Sequence, residues 1–205
     1  MPREVTASTG LDALTQLIEA YVTLKANPIT DGICSEGLRR ASRALPRVYD
    51  NGDDREARED MALASLFSGL ALANAGLGAV HGFAAPIGGR FDVPHGVVCA
   101  RLLPFVMSAN ILALTRSRPF SPVLKRYDEM AKILTDDPYA TGTQGVDWVK
   151  RLCRKLDIPA LSSLGMTASD VPALVEKAMR ASSMKGNPIA LTEEELTHIL
   201  KKAIA

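Results

Sequence analysis

Apolar residues along this chain recur at intervals of three and four positions, and almost no segment alternates polar and apolar residues with a period of two. That spacing lines apolar side chains along one face of an α-helix. Leu11, Leu14 and Ile18 define the first helix, which we expect to start after an N-cap at Ser8 or Thr9 and to end near residues 27–28. The same pattern predicts further helices at about 30–49, 53–78, 94–110, 119–135, 143–156, 169–182 and 192–203. The sequence therefore predicts an all-α, helical bundle-like fold, with residues 1–205 forming a single domain.

Local signals refine several of these elements. Thr167 with Asp170 and Thr192 with Glu195 match the capping-box pattern and mark the start of the last two helices. The third predicted helix ends in small residues, GLALANAGLG, which indicates a buried element with another helix packed closely against it. Residues 79–93 are rich in Gly and Pro, and we expect them to be mostly irregular.

Composition excludes some classes of partner. A net charge of +1 gives no electrostatic reason to expect nucleic acid or an anionic membrane surface as partner. No apolar run approaches the roughly 20 residues that span a bilayer, and the N-terminus has no apolar signal segment. Cys34, Cys99 and Cys153 are an odd number without metal-binding spacing, and we expect them to be reduced, mostly buried thiols. These observations predict a cytoplasmic protein without nucleic acid or membrane partners.

Two of the three histidines stand at the ends of the segment HGFAAPIGGRFDVPHG. Imidazole is a common protein ligand for zinc and iron. Gly and Pro supply the sharp turns that would bring His81 and His95 to one point. A metal site is one interpretation, and two unrelated polar residues near helix ends are the other. The residues alone leave both open.

A longer resemblance favours the metal site. Residues 74–110, NAGLGAVHGFAAPIGGRFDVPHGVVCARLLPFVMSAN, resemble the signature of the iron-containing (group III) alcohol dehydrogenases. The resemblance continues through residues 8–31 and 51–78 and returns at 185–205, so it covers nearly the whole chain. It implies the C-terminal helical domain of the dehydroquinate synthase-like fold, with His81 and His95 as ligands of a divalent metal, Fe²⁺ being favoured and Zn²⁺ the alternative.

The first helix is where the family supplies its remaining ligands, and the resemblance assigns Asp12 to one of them. Asp12 also completes a Thr9-x-x-Asp12 capping box, so local sequence leaves capping as an alternative. Gln16 stands where most family members have His, and an amide oxygen is a poorer ligand than imidazole. In one interpretation Asp12, His81 and His95 hold the ion alone, resembling the zinc-dependent glycerol dehydrogenases. In the other the site has lost affinity, so that the metal is absent or exchangeable and the chain resembles the maleylacetate reductases. We expect three ligands with weakened metal binding, and Gln16 assisting weakly.

Other candidate residues are less informative. Many family alcohol dehydrogenases carry a second His where this chain has Ala85, which predicts a more apolar substrate pocket and a different substrate. His198 lies among charged residues, and we expect it at the surface. Trp148 and Phe120 are expected in the core.

No Gly-rich turn of the kind that cradles a pyrophosphate follows a strand in this sequence. The resemblance implies that NAD(P) binds to an N-terminal α/β domain, which we expect to be absent from the chain. We therefore expect the metal- and substrate-binding half of an NAD(P)-dependent alcohol dehydrogenase or carbonyl reductase, inactive in isolation. Its partners would be a small-molecule alcohol or carbonyl substrate, a separate cofactor-binding domain and further copies of itself. The alternative from another class is a catalytically silent helical module for dimerisation or interaction.

Overall fold

The computed structural model describes residues 1–205 and confirms the all-α prediction, since it contains no strand. Nine α-helices follow one another along the chain: α1 (Arg3–Val22), α2 (Pro28–Asp50), α3 (Arg55–Ala75), α4 (Ala79–Gly88), α5 (His95–Ser117), α6 (Pro122–Thr135), α7 (Gly142–Lys155), α8 (Val171–Met179) and α9 (Glu193–Ile204). Short 3₁₀ turns occupy Leu161–Leu164, Ala168–Asp170 and Ser182–Gly186. A continuous cluster of 52 buried hydrophobic residues connects all nine helices.

Helix α1 is the central element, and its predicted start was wrong. The helix begins at Arg3, five residues before the expected N-cap at Ser8, and most of its residues are buried. The Thr9 hydroxyl donates to the Val5 carbonyl at 2.7 Å, as in a helix interior, so Thr9 and Asp12 do not form a capping box. Burial of α1 on almost all sides favours extending the helix past the local capping signal. The Asp12 side chain is therefore free for another role.

The Gly- and Pro-rich segment is more regular than predicted. Residues 79–88 form α4 in spite of Pro86, and the irregular chain is confined to residues 89–94. Val80, Phe83 and Ile87 on this helix are almost completely buried, and that burial offsets the cost of an interior proline. His81 therefore lies in the first turn of α4, whereas His95 is the first residue of α5.

Helix α3 divides into two faces. A stripe of small buried residues, Ala64, Ser68, Ala71 and Ala75, lets α3 lie close to α1 and α2, as its composition predicted. The opposite face was not foreseen, because Leu63, Leu66 and Leu70 are exposed there, and Leu72 at the edge of the buried stripe is exposed as well. A Cβ added at Gly69 would meet nothing within 4 Å, so this glycine does not serve close packing.

Helix α5 corrects the expectation that no segment of the chain is long and apolar enough to span a bilayer. Its 23 residues are long and apolar enough to cross a membrane, with a mean hydropathy of 1.9 in the most apolar window. However, 61% of that window is buried within the fold, and a core helix of such a fold has the same composition. Helix α5 also runs to Ser117, beyond its predicted end at Asn110.

The remaining elements test the predictions about the capping boxes, Trp148 and Phe120. Both capping boxes are present: Thr192 with Glu195 opens α9, whereas Thr167 with Asp170 opens the 3₁₀ turn before α8. Trp148 packs partly buried against the core. The prediction for Phe120 was wrong, because this side chain is 97% exposed in the turn before α6. Ser121 caps α6 and Pro122 is its first residue, so position 120 falls outside the helix.

Candidate metal centre

Three helices, α1, α4 and α5, bring the candidate ligands together. Asp12 lies in the middle of α1, His81 in the first turn of α4 and His95 at the start of α5. The approach of α5 to α1 depends on Gly96, because a Cβ at this position would lie 2.1 Å from the Ser8 carbonyl oxygen. With glycine there, His95 can lie beside the Asp12 carboxylate.

Four donor atoms meet at this junction. Oδ1 of Asp12 lies 3.4 Å from Nε2 of His81 and 3.7 Å from Nε2 of His95. Sγ of Cys99, one turn after His95, lies 3.4 Å from Nε2 of His95 and 3.8 Å from Nε2 of His81. All four atoms are within 4.8 Å of one another. Sequence reasoning missed Cys99, although its spacing of four from His95 was a signal that both side chains share one face of α5.

This arrangement fits a divalent metal ion. Oδ1 of Asp12 is buried and has no hydrogen-bond partner, which is unfavourable for a carboxylate oxygen unless a cation lies against it. Around a tetrahedral ion with bonds of about 2.0–2.3 Å, neighbouring ligand atoms are roughly 3.3–3.6 Å apart. Four of the six separations are 3.4–3.8 Å, close to that range, and the other two are no more than 4.8 Å.

A buried carboxylate on α1 orients His81 from the other side of its ring. Oε2 of Glu19 lies 2.6 Å from Nδ1 of His81, and Oε1 of Glu19 accepts a hydrogen bond from the Val80 amide at 2.7 Å. With the proton on Nδ1, Nε2 is left to face Asp12. Sequence reasoning missed Glu19 as well, although its spacing of seven from Asp12 places both on one face of α1.

The electrostatics of the cluster favour a positive charge at His81. Burial disfavours the charged imidazole, but the proximity of the Asp12 carboxylate, the Cys99 thiol and the Glu19 carboxylate outweighs it and raises the pKa of His81 to about 12. Burial likewise acts to raise the pKa of Asp12, yet the proximity of His81 and the charges of both histidines lower it overall. Burial raises the pKa of the Cys99 thiol to about 11. The groups around the imidazole thus stabilise a cation, whether a proton or a metal ion.

Gln16 contacts the second oxygen of the Asp12 carboxylate. Its Nε2 donates to Oδ2 of Asp12 at 3.1 Å, and its Oε1 accepts from the Ser68 hydroxyl at 2.9 Å. The amide therefore holds the carboxylate by the oxygen that does not face His81. Whether Gln16 also contacts an ion stays a prediction.

The cluster opens to solvent on one side. The His95 side chain is 51% exposed, whereas that of His81 is 8% exposed. Ala85, one turn after His81, is also exposed. A groove of about 690 Å³ lies elsewhere, between α5 and α9, and contains none of the cluster residues. His198 lines that groove and is exposed, as predicted.

Known proteins share both this sequence and this fold. Alcohol dehydrogenase 4 of Saccharomyces cerevisiae is 37% identical over 204 residues, which cover 99% of this chain and 51% of the yeast protein. The 1,3-propanediol dehydrogenase of Klebsiella pneumoniae is 35% identical, with 98% of this chain and 51% of that protein covered. The crystal structure of a 1,3-propanediol oxidoreductase superposes with a TM-score of 0.89 at 34% identity, covering 99% of this chain and 52% of that one.

The chain thus spans about half the length of the curated relatives that it matches. The sequence model described as "Fe-containing alcohol dehydrogenase family, C-terminal" matches residues 6–204. The chain therefore belongs to the iron-containing alcohol dehydrogenase family and corresponds to its C-terminal part.

Proposed function

We propose that this chain is the metal- and substrate-binding part of an NAD(P)-dependent alcohol dehydrogenase or carbonyl reductase. The observation that carries the proposal is the buried, unpartnered Oδ1 of Asp12, which faces Nε2 of both His81 and His95. A buried carboxylate oxygen without a partner costs free energy in a protein that binds nothing there. A catalytically silent module has no need for an unpartnered buried carboxylate oxygen. A metal-binding enzyme part explains this oxygen better.

Asp12, His81 and His95 would hold the ion, with Fe²⁺ expected from the family and Zn²⁺ as the alternative. When bound, the ion supplies Lewis-acid polarisation of an alcohol or carbonyl oxygen for hydride transfer. Glu19 fixes the tautomer of His81, and Gln16 fixes the Asp12 carboxylate, so both keep donor atoms directed at one point. The half-exposed His95 marks the side from which a substrate reaches the cluster.

The chain's residues also limit which groups can take part in proton transfer. Ala85 offers only a methyl group near the opening, and it can neither donate nor accept a proton. His95 is the exposed imidazole of the cluster, and as a ligand it would not be free to serve as a base. We infer that a proton released by a bound alcohol passes to solvent or to a group outside this chain.

Two partners complete the proposal. NAD(P) would bind to a separate cofactor-binding domain, which agrees with relatives about twice as long as this chain. The exposed leucines of α3 give the chain an apolar face of the kind that another domain or another copy covers.

Replacement of the family's usual His by Gln16 favours a second candidate function. This candidate is a maleylacetate reductase-like enzyme half in which the metal is weakly held.

A chimera tests the proposed activity. This chain would replace the corresponding C-terminal half of the Klebsiella pneumoniae 1,3-propanediol dehydrogenase, and NAD(P) reduction would be measured with a panel of small alcohols and each metal. We expect alcohol-dependent turnover that is lost in the Asp12→Asn variant. A folded chimera that binds NAD(P) but turns over no alcohol, or one whose turnover survives Asp12→Asn, would contradict the proposal.

A further inference from the structure

We propose that Cys99 is a fourth protein ligand of the metal ion, so that the centre is Asp12, His81, His95 and a cysteine thiolate. This inference rests on the proposed metal site and adds to it the identity of one ligand. It also changes the expected metal, because a thiolate favours Zn²⁺ over Fe²⁺.

The distances around the Cys99 sulfur support its assignment as a metal ligand. Sγ of Cys99 lies 3.4 and 3.8 Å from the Nε2 atoms of His95 and His81, the same two atoms that face Asp12. Around a tetrahedral ion, a sulfur at about 2.3 Å and a nitrogen at about 2.0 Å stand roughly 3.5 Å apart. The two measured separations bracket that value. Cys99 thus lies beside both imidazole nitrogens as a fourth donor, and a substrate oxygen would be the fifth ligand of the ion.

The other cysteines differ in this respect. Cys34 and Cys153 are buried like Cys99, but neither belongs to a group of metal-ligating side chains. The Cys153 thiol contacts the Ala100 carbonyl at 3.3 Å instead. A cysteine serving only as a small core residue would have no reason to direct its sulfur at two imidazole nitrogens.

Position 16 does not offer an equivalent donor in this structure. The Gln16 amide contacts Oδ2 of Asp12 and the Ser68 hydroxyl, and both of its polar atoms are therefore satisfied. Coordination by Cys99 breaks its S–H bond: the sulfur electron pair goes to the ion and one proton goes to solvent. No oxidant or reductant takes part.

Cobalt(II) substitution gives a direct readout. Under reducing conditions the 205-residue chain would be loaded with Co²⁺, and its near-ultraviolet absorption recorded for a sulfur-to-cobalt charge-transfer band. We expect the band in the unaltered chain and in Cys34→Ser and Cys153→Ser, and its loss in Cys99→Ser. In competition with a chelator, Cys99→Ser should lower Zn²⁺ affinity by more than it lowers Mn²⁺ affinity.

The outcomes separate this inference from the proposed function. Stoichiometric Co²⁺ without the band in the unaltered chain, or a band that survives Cys99→Ser, overturns the cysteine ligand and leaves the three-ligand site standing. Failure to bind any divalent ion overturns both. The band together with an inactive chimera supports the cysteine ligand and contradicts the proposed activity.

Discussion

Glu19 and His81 form the shortest polar contact of the candidate centre, with Oε2 of Glu19 2.6 Å from Nδ1 of the imidazole. Both side chains are more than nine-tenths buried. This contact directs Nε2 of His81 toward Asp12, so a residue that would not touch the ion decides which nitrogen is offered to it.

Replacing Glu19 by Gln should weaken metal binding by roughly 10–100-fold, because the amide can accept from only one of the two donors that Glu19 satisfies. Chelator competition followed by metal analysis measures the affinity. Glu176→Gln, at an exposed position, is the matched control and should bind like the unaltered chain. Equal affinity in Glu19→Gln would show that this carboxylate does not position His81.

Gly96→Ala should destabilise the fold by at least the roughly 1–3 kcal/mol typical of overpacking, because the new methyl group would collide with the Ser8 backbone. It should also weaken metal binding by moving His95. The control is Gly69→Ala, whose Cβ meets open space on α3 and should stabilise the protein by about 0.5–1 kcal/mol. Denaturant unfolding of both variants gives the free energies, and equal stabilities would refute the close approach of α1 and α5.

Much of the fold was predictable from sequence because the helical pattern is strong wherever one face is buried. The errors fell where tertiary contacts override local signals: burial on α1 extended it past Thr9, and burial on α4 kept it helical through Pro86. Only part of the metal site could be predicted from the sequence. The resemblance indicated Asp12, His81 and His95. The contacts of Cys99 and Glu19 with the histidines depend on how α1, α4 and α5 pack together, which the sequence alone does not show.

Gln16→His should tighten binding of Fe²⁺ or Zn²⁺, since imidazole is a better ligand than an amide and residue 16 lies one helical turn from Asp12. Titration against a competing chelator would show a slower loss of metal. Equal or weaker retention would mean that residue 16 does not reach the ion and acts only through its contact with Asp12.

The 205-residue chain on its own should show no measurable alcohol-dependent reduction of NAD(P). Holding a nicotinamide against a substrate is an orientation effect worth up to about 7–11 kcal/mol, and no strand with a phosphate-cradling turn is present in this structure to provide it. A spectrophotometric assay with metal-loaded protein checks this. Robust turnover would show that the chain binds cofactor without a separate domain.

The stoichiometry of a bound divalent metal tests the central claim most directly. Elemental analysis after loading and buffer exchange should find one ion per chain in the unaltered protein and in His198→Ala, whose imidazole is exposed on α9. His95→Ala should retain none, because it removes a donor 3.7 Å from the Asp12 oxygen that has no other partner. Undiminished stoichiometric metal in His95→Ala would contradict the assignment of the centre.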